Sequence, residues 1–286
     1  MKKLFLSLCM LTAAAGAFAQ IDSDDKQLFN HVGAGVSVGT DGIGFDVATT
    51  ITPYVQARAG MSFLPEIKVN NIDVDLNISN SEVQNANQFI RQYNAMGIGT
   101  PISEINPPSQ VQMSSKINMS DFKLLFDIYP TKTSPWRLTV GFYAGKSKLM
   151  DAWTTNCEYE LQTITDYNAA LDANPALAQQ FGLSKIGVEV GEYLIEPDGQ
   201  QARGYIKVNG FKPYIGIGSG RAISNNHRFS FSWDLGCQFW GTPTIYVQEK
   251  KLDKDSNIDG SGDIIKTISK ITVYPTLSFR FNGRIL

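Results

Sequence analysis

Long apolar runs are missing from this 286-residue chain. Past residue 19, nothing approaches the ~18 consecutive apolar residues that a membrane-spanning helix needs. Cysteine is scarce: of three in all, only Cys157 and Cys237 lie beyond the amino-terminal segment. One pair cannot staple a domain of this size, and its spacing fits no zinc or redox motif. Histidine is rarer still, with only His31 and His227. Neither sign of charge dominates, at 25 basic against 27 acidic residues, and no basic tract points to nucleic acid.

The chain opens Met1-Lys2-Lys3, continues through an apolar block from Leu4 to Leu11, and turns small at Ala17-Phe18-Ala19 before Gln20. This pattern predicts a signal peptide over 1–19, cleaved near Ala19/Gln20, with 20–286 forming one domain.

What the sequence does have is alternation. From Phe229 to Phe239, Phe229, Phe231, Trp233, Leu235, Cys237 and Phe239 interleave with Ser230, Ser232, Asp234, Gly236 and Gln238. Successive strand side chains point to opposite faces, so this segment has one greasy and one polar face. Seven companions read the same way: Val32 to Val38, Ile43 to Ile51, Val55 to Phe63, Asp121 to Ile128, Arg137 to Gly145, Pro213 to Ser219, and Ile271 to Phe281. Their connections alternate in length. Short turns fall at Thr52-Pro53, Thr131 to Pro135 and Ser224 to Arg228, and long segments cover about 64–120, 151–211 and 241–270. An even strand count with short turns at one end and long loops at the other predicts an all-β fold. The expected form is an eight-stranded antiparallel transmembrane β-barrel with long, partly helical extracellular loops.

Turn parity predicts a two-residue hairpin loop at Asp41-Gly42 and an odd loop at Ile51-Thr52-Pro53, which would set Asp46 opposite Arg58. The polar faces carry Asp46, Arg58, Lys123, Asp127, Arg137, Asp234 and Arg280. A soluble core rarely accepts so many charges, so these are expected to form a balanced network in the barrel lumen. Tyr54, Tyr129 and Trp136 near the short-turn end, and Trp153, Trp240 and Tyr246 near the long-loop end, are expected to form two interfacial girdles.

The loops carry patterns of their own. Ile67, Val69 and Ile72 to Leu76 read as a strand paired with Val111 to Met119. Ser81 to Tyr93 reads as a helix capped by Ser81 and stopped at Gly97, and Leu161 to Phe181 as a helix broken near Asn174-Pro175 and ended by Gly182. Tyr193 to Ile195 and Tyr205 to Val208 are expected to pair across Pro197-Asp198-Gly199. Asp253, Asp255, Asn257 and Asp259 have the spacing of a calcium loop, but Ile264 stands where the closing Glu should be, so a solvated loop without metal is expected.

Phe-Lys-Pro-Tyr-Ile-Gly-Ile-Gly-Ser-Gly-Arg-Ala within Val208 to Gly241, Asp-Leu-Gly-Cys-Gln-Phe-Trp-Gly-Thr-Pro after it, the opening Gly-Val-Ser-Val-Gly-Thr-Asp-Gly-Ile-Gly, and Arg-Ala-Gly-Met-Ser-Phe-Leu-Pro together resemble small outer-membrane β-barrels of the Bacteroidetes. The resemblance covers the strands and little of the loops. It implies the fold and the outer membrane of a Gram-negative bacterium, and brings no catalytic residues. The end departs from the family's assembly signal, because Asn282 to Leu286 follow the aromatic Phe279-Arg280-Phe281 finish.

An enzyme of the barrel rim needs an activated nucleophile or a paired acid and base. His227 falls in a short turn and His31 at the start of the first strand, where a lumen hydrogen bond near Arg280 is expected. Neither reaches the long-loop rim, so no catalytic or cofactor site is expected. An eight-stranded interior is just wide enough for its own side chains. Glycines 33, 35, 60, 141, 145, 216, 218 and 236 leave room for an alternative: a narrow channel, or a small-solute or hydrophobic-ligand transporter. The favoured expectation is a monomeric, non-enzymatic surface protein whose loops bind an unidentified ligand or partner. Its other partners would be outer-membrane lipids, and periplasmic chaperones and barrel-assembly machinery during biogenesis.

Overall fold

The computed structural model describes residues 31–75, 79–97, 99–108, 110–190, 193–224, 227–247, 250–251 and 270–285. The expected signal peptide and the Asp253 to Asp259 loop lie outside them. Strands are numbered in chain order: β1 Val32–Gly39, β2 Gly42–Thr52, β3 Val55–Asp75, β4 Gln110–Ile128, β5 Trp136–Gly145, β6 Lys148–Thr155, β7 Val188–Val190, β8 Tyr193–Ile195, β9 Arg203–Lys207, β10 Phe211–Ser219, β11 Phe229–Phe239, β12 Thr244–Val247, β13 Lys250–Lys251 and β14 Val273–Arg284. The helices are α1 Asn80–Met96, α2 Glu158–Ala173 and α3 Pro175–Gln180.

Eight strands close a ring in the order β1-β2-β3-β4-β5-β10-β11-β14, with β14 returning to β1 through Val36↔Phe281 and its neighbours. Every pairing is antiparallel, and no sheet edge is left within the ring. The alternation becomes an inside and an outside. Phe231 is 60% exposed and Arg280, on the neighbouring strand, 1%. Val36, Val38, Phe45, Val47, Met61, Ile217 and Phe279 join Phe231 in an apolar belt around the barrel. The ten residue steps from Phe229 to Phe239 span roughly 33 Å of strand, or about 25 Å of height at a tilt near 40°. That is the thickness of a bilayer's apolar band, so the belt faces lipid and the ring is a transmembrane β-barrel.

Two registers differ from expectation. In the first hairpin Gly39 faces Gly42, so the loop is Thr40-Asp41, and Gly42 takes the positive φ of +92°. In the second, Thr52 faces Val55 across Pro53-Tyr54, and a bulge between Thr50 and Thr52 absorbs the odd residue. Asp46 therefore stands opposite Gly60, and Arg58 opposite Ala48. The last strand runs past Phe281 to Arg284 and turns Asn282 inward.

Among the described residues, the wall continues above the belt on one side. The upper parts of β3 and β4 pair from Leu64↔Met119 to Asp75↔Gln110, and β6, β9, β12 and β13 extend this sheet. Tyr193–Ile195 pairs with Val188–Val190, and Arg203–Lys207 with β6 and β12, so the hairpin expected between the two does not form. The turn chemistry at Pro197 to Gly199 closes only a single bridge, Asp198↔Gln201. Helix α1 is capped by Ser79 rather than Ser81. The Ser79 hydroxyl accepts from the Glu82 amide, and the Glu82 carboxylate three residues along accepts from the Ser79 amide, a reciprocal capping box. Gly97 ends this helix in the left-handed region, and Asn174-Pro175 separates α2 from α3.

Candidate functional site: a filled lumen beneath a folded cap

All seven lumen charges expected from the sequence lie buried inside the barrel, in two clusters. In the lower one, Arg58 Nη2 is 2.7 Å from Asp127 and its Nη1 3.1 Å from Asp234. Arg137 Nη2 lies 2.8 Å from Asp234 and its Nε 3.3 Å from Asp127. The Thr139 hydroxyl donates to Asp127 at 2.8 Å. Two guanidinium groups and two carboxylates thus neutralise one another away from water. In the upper cluster Arg280 grips Asp46, and Lys123 stands 3.7 Å from the same carboxylate. Asp41, turned in from the first hairpin loop, completes the upper set opposite Lys123.

A third pair escaped the sequence reading. Lys212 Nζ donates to both Asp121 oxygens at 2.6 and 2.8 Å, with both side chains buried. Beginning that strand at Pro213 hid Lys212, although it shares the parity of Tyr214, Gly216 and Gly218. Among the described residues, and leaving aside Arg221 at the short-turn mouth, the lumen then holds five cations (Arg58, Lys123, Arg137, Lys212, Arg280) and five carboxylates (Asp41, Asp46, Asp121, Asp127, Asp234), which balance. Such balance matters because one unpartnered buried ion costs several kcal/mol.

At Gly35 the expected room is taken, and the same holds at Gly44, a glycine outside the expected set. A Cβ on Gly35 would land on the Arg280 guanidinium, and one on Gly44 would meet the Lys123 ammonium. These glycines give their space to long polar side chains crossing the lumen.

At the short-turn end, Arg221 to Ile223 of the β10–β11 connection fold into the mouth instead of lying in solvent. Ala222 and Ile223 are buried against Ala48. Gln56 holds Ile223 through both backbone groups, at 2.9 and 3.1 Å. Arg221 donates to the Pro53 and Lys132 carbonyls, each at 2.7 Å, and lies 4.0 Å from the centre of the Tyr129 ring. The signal in the sequence was an Ala-Ile pair inside an otherwise polar turn. Tyr129 is therefore an inward plug residue, 2% exposed, and its hydroxyl donates to Gln56 at 3.1 Å. Trp240 is likewise buried, donating to the Ile271 carbonyl, while Trp153 and Tyr246 stand on the sheet above the belt. The girdles shrink to Tyr54 and Trp136 at one end. The other end ends in phenylalanines such as Phe63 and Phe211. His31 sits at the foot of β1, its carbonyl accepting from Thr49 and Thr50, whereas Arg280 lies opposite Ser37 in the upper half of that strand.

At the other end, α1 and α2 pack on the lumen-side face of the upper sheet. Val111 and Met113, in phase with Asp121 and Lys123, support a core of Phe89, Ile90, Tyr93, Leu161, Ile164 and Tyr167. Phe89 meets Tyr167 edge-on at 6.1 Å and Phe181 at 6.4 Å. Asn87 and Asn94 each make paired bonds to the backbone of Ile105 and Ile102, tying the 99–108 segment down. Asn168 does the same for Ile186. Burial raises the Tyr167 phenol to about 12 and lifts the Cys157 thiol above its usual range, so both stay neutral inside this core. The two long loops thus form one cap with its own apolar core.

A closed barrel with a lipid-facing belt, a charge-balanced interior and folded loops gathered at one end defines an outer-membrane-type β-barrel. Among solved structures the chain is similar to CarO of Acinetobacter baumannii, at 15% identity over 90% of this chain and 99% of that one, with a TM-score of 0.45. It is also similar to CarO2 of the same organism, at 16% identity over 91% and 100%, again with a TM-score of 0.45. No family model and no curated protein matches the sequence.

Proposed function

We propose that this chain is a non-enzymatic surface protein of a Gram-negative outer membrane, whose barrel is an anchor and whose cap is the working part. Its affiliation with the Bacteroidetes barrels rests on the strand residues quoted above. The observation that carries the reading is a folded cap with its own core, standing over a lumen filled by paired charges and plugged at the short-turn, periplasmic end. An open conduit would need water where Arg58, Asp127 and Asp234 form direct contacts. Ordering two long loops costs conformational entropy that short turns would avoid, which favours a binding role for the cap. The second reading, a narrow channel or transporter, makes the opposite prediction in planar bilayers. The full chain should add no steps of conductance, and reproducible single-channel steps would replace the anchor with the channel. Surface display is tested separately: protease added to intact cells should cut within the cap and leave the barrel protected.

A further inference from the structure

The outward face of the upper sheet is unlike the rest of the molecule. Residues directly opposite in neighbouring strands share a face, and one row across this sheet reads Lys68, Lys116, Asp151, Tyr205, Tyr246, Lys251. Lys148 and Lys207 face each other one row below, and Arg203 stands opposite Trp153 one row above. Leaving Lys251 aside, five cations (Lys68, Lys116, Lys148, Arg203 and Lys207) meet three carboxylates, Glu66, Asp73 and Asp151, among the described side chains of this face. The chain as a whole carries slightly more acid than base.

Two of these cations pairs are lysine directly against lysine, Lys68↔Lys116 and Lys148↔Lys207, which destabilises a sheet unless an anion intervenes. Among the described residues, two carboxylates answer these pairs. Glu66 takes Lys68 at 3.0 Å, and Asp151 serves both Lys148 at 3.0 Å and Arg203 at 3.9 Å. Aromatic rings hold the ammonium groups in place. Tyr205 and Tyr246 stack at 5.0 Å, Lys148 lies 4.4 Å from the Tyr205 ring, Lys207 lies 4.7 Å from Tyr246, and Lys116 lies 5.6 Å from Trp153. A cation over a ring keeps its charge and its remaining donors, so it stays able to bind an anion.

Height decides which anion. Lys68 follows the belt residue Phe63 by five positions, and Lys207 precedes Phe211 by four. Along the strands this is roughly 13–17 Å past the last lipid-facing phenylalanines, in and just above the headgroup layer. We propose that this face binds the phosphate groups of the glycolipid in the leaflet that surrounds it, with Lys68, Lys116, Lys148 and Lys207 as the phosphate ligands. It is a lateral lipid site, separate from whatever the cap binds, and rests only on the barrel's orientation in the outer membrane.

The test compares the full chain with a K68Q/K116Q/K148Q/K207Q variant in phosphatidylcholine nanodiscs doped with bis-phosphorylated lipid A, with dephosphorylated lipid A, or with phosphatidylglycerol. Lipid retained after detergent extraction is counted by native mass spectrometry. Wild type should retain the bis-phosphorylated lipid at least tenfold more than the dephosphorylated form and the variant, and retention should fall with salt. A fourfold lysine-to-arginine variant should retain it, and both variants should remain heat-modifiable. Equal retention by wild type and the glutamine variant would overturn the proposal, as would indifference to the phosphates. Displacement by millimolar inorganic phosphate alone would assign the face to free phosphate and overturn the lipid assignment. Stronger retention of phosphatidylglycerol would show a general anionic surface and overturn it too. Membrane fractionation that failed to find the chain in the outer membrane would remove the proposed function itself, a result distinct from these.

Discussion

Arg280 on the last strand reaches across β1 to hold Asp46 on the second, with its Nε 3.0 Å from Oδ2. The guanidinium passes over Gly35, which stands opposite Asp46 and has no side chain to block it. One ion pair thereby ties β14 to β2 across the strand at which the ring closes.

Losing Arg280 alone should therefore cost more than losing the pair. Arg280→Met leaves Asp46 with Lys123 at 3.7 Å as its nearest cation among the described residues, and should destabilise the barrel by roughly 3–5 kcal/mol. Asp46→Leu with Arg280→Met should recover a good part of this. Urea unfolding in detergent micelles, run as a double-mutant cycle, reads the coupling. Additive losses would mean that the pair does not act as a unit.

The plug offers a gain-of-function test. Arg221→Ala removes the bonds to Pro53 and Lys132 and the contact with Tyr129. Combined with Gln56→Ala, which frees Ile223, it should loosen the short-turn end and admit ions into the lower lumen. Bilayer recordings should show flickering conductance in the double variant and none in wild type. Silence in both would locate the seal in the charge clusters instead.

Within the cap, Phe89→Ala empties the centre of the core formed with Tyr93, Tyr167 and Phe181. The expected local loss is about 3–5 kcal/mol. Limited proteolysis should then cut between residues 79 and 108 while the heat-modifiable gel shift of the barrel persists. Loss of that shift would show that cap and barrel fold as one unit. Because α1 and α2 share this core, truncations should remove both long loops together.

Glu82 gives the cap a pH response. The Ser79 amide and hydroxyl donate to its carboxylate, both at 2.7 Å, and hold its pKa below the usual range. A lowered carboxylate pKa contributes stability above the ordinary value of about 4.3, which is lost as the pH falls through the lowered one. Amide exchange in the first turn of α1, corrected for intrinsic rates, should speed up on going from about pH 6 to about pH 3. Glu82→Gln should flatten this response.

The belt, the strand count and the inward charges were legible because strand periodicity is local: each residue's face follows from its parity. Phe229 to Phe239 needed no other part of the chain to declare itself. The two hairpin registers were not legible, since a bulge at Thr50 and Thr52 and a loop at Thr40-Asp41 satisfy the same parity as the turns expected. Parity cannot separate registers that differ by two residues.

Partners lay further still from the sequence. By itself it determined a lipid-facing surface, a polar interior and helical loops, all set by spacing and turn chemistry. Only the tertiary structure decided that Asp46 belongs to Arg280, that Arg221 and Ile223 plug one mouth, and that α1 and α2 share a core above the other. It also gathered Lys68, Lys116, Lys148 and Lys207 from four strands onto one outward face. Such contacts join residues up to 234 positions apart, and follow from ring closure and charge balance, not from any local pattern.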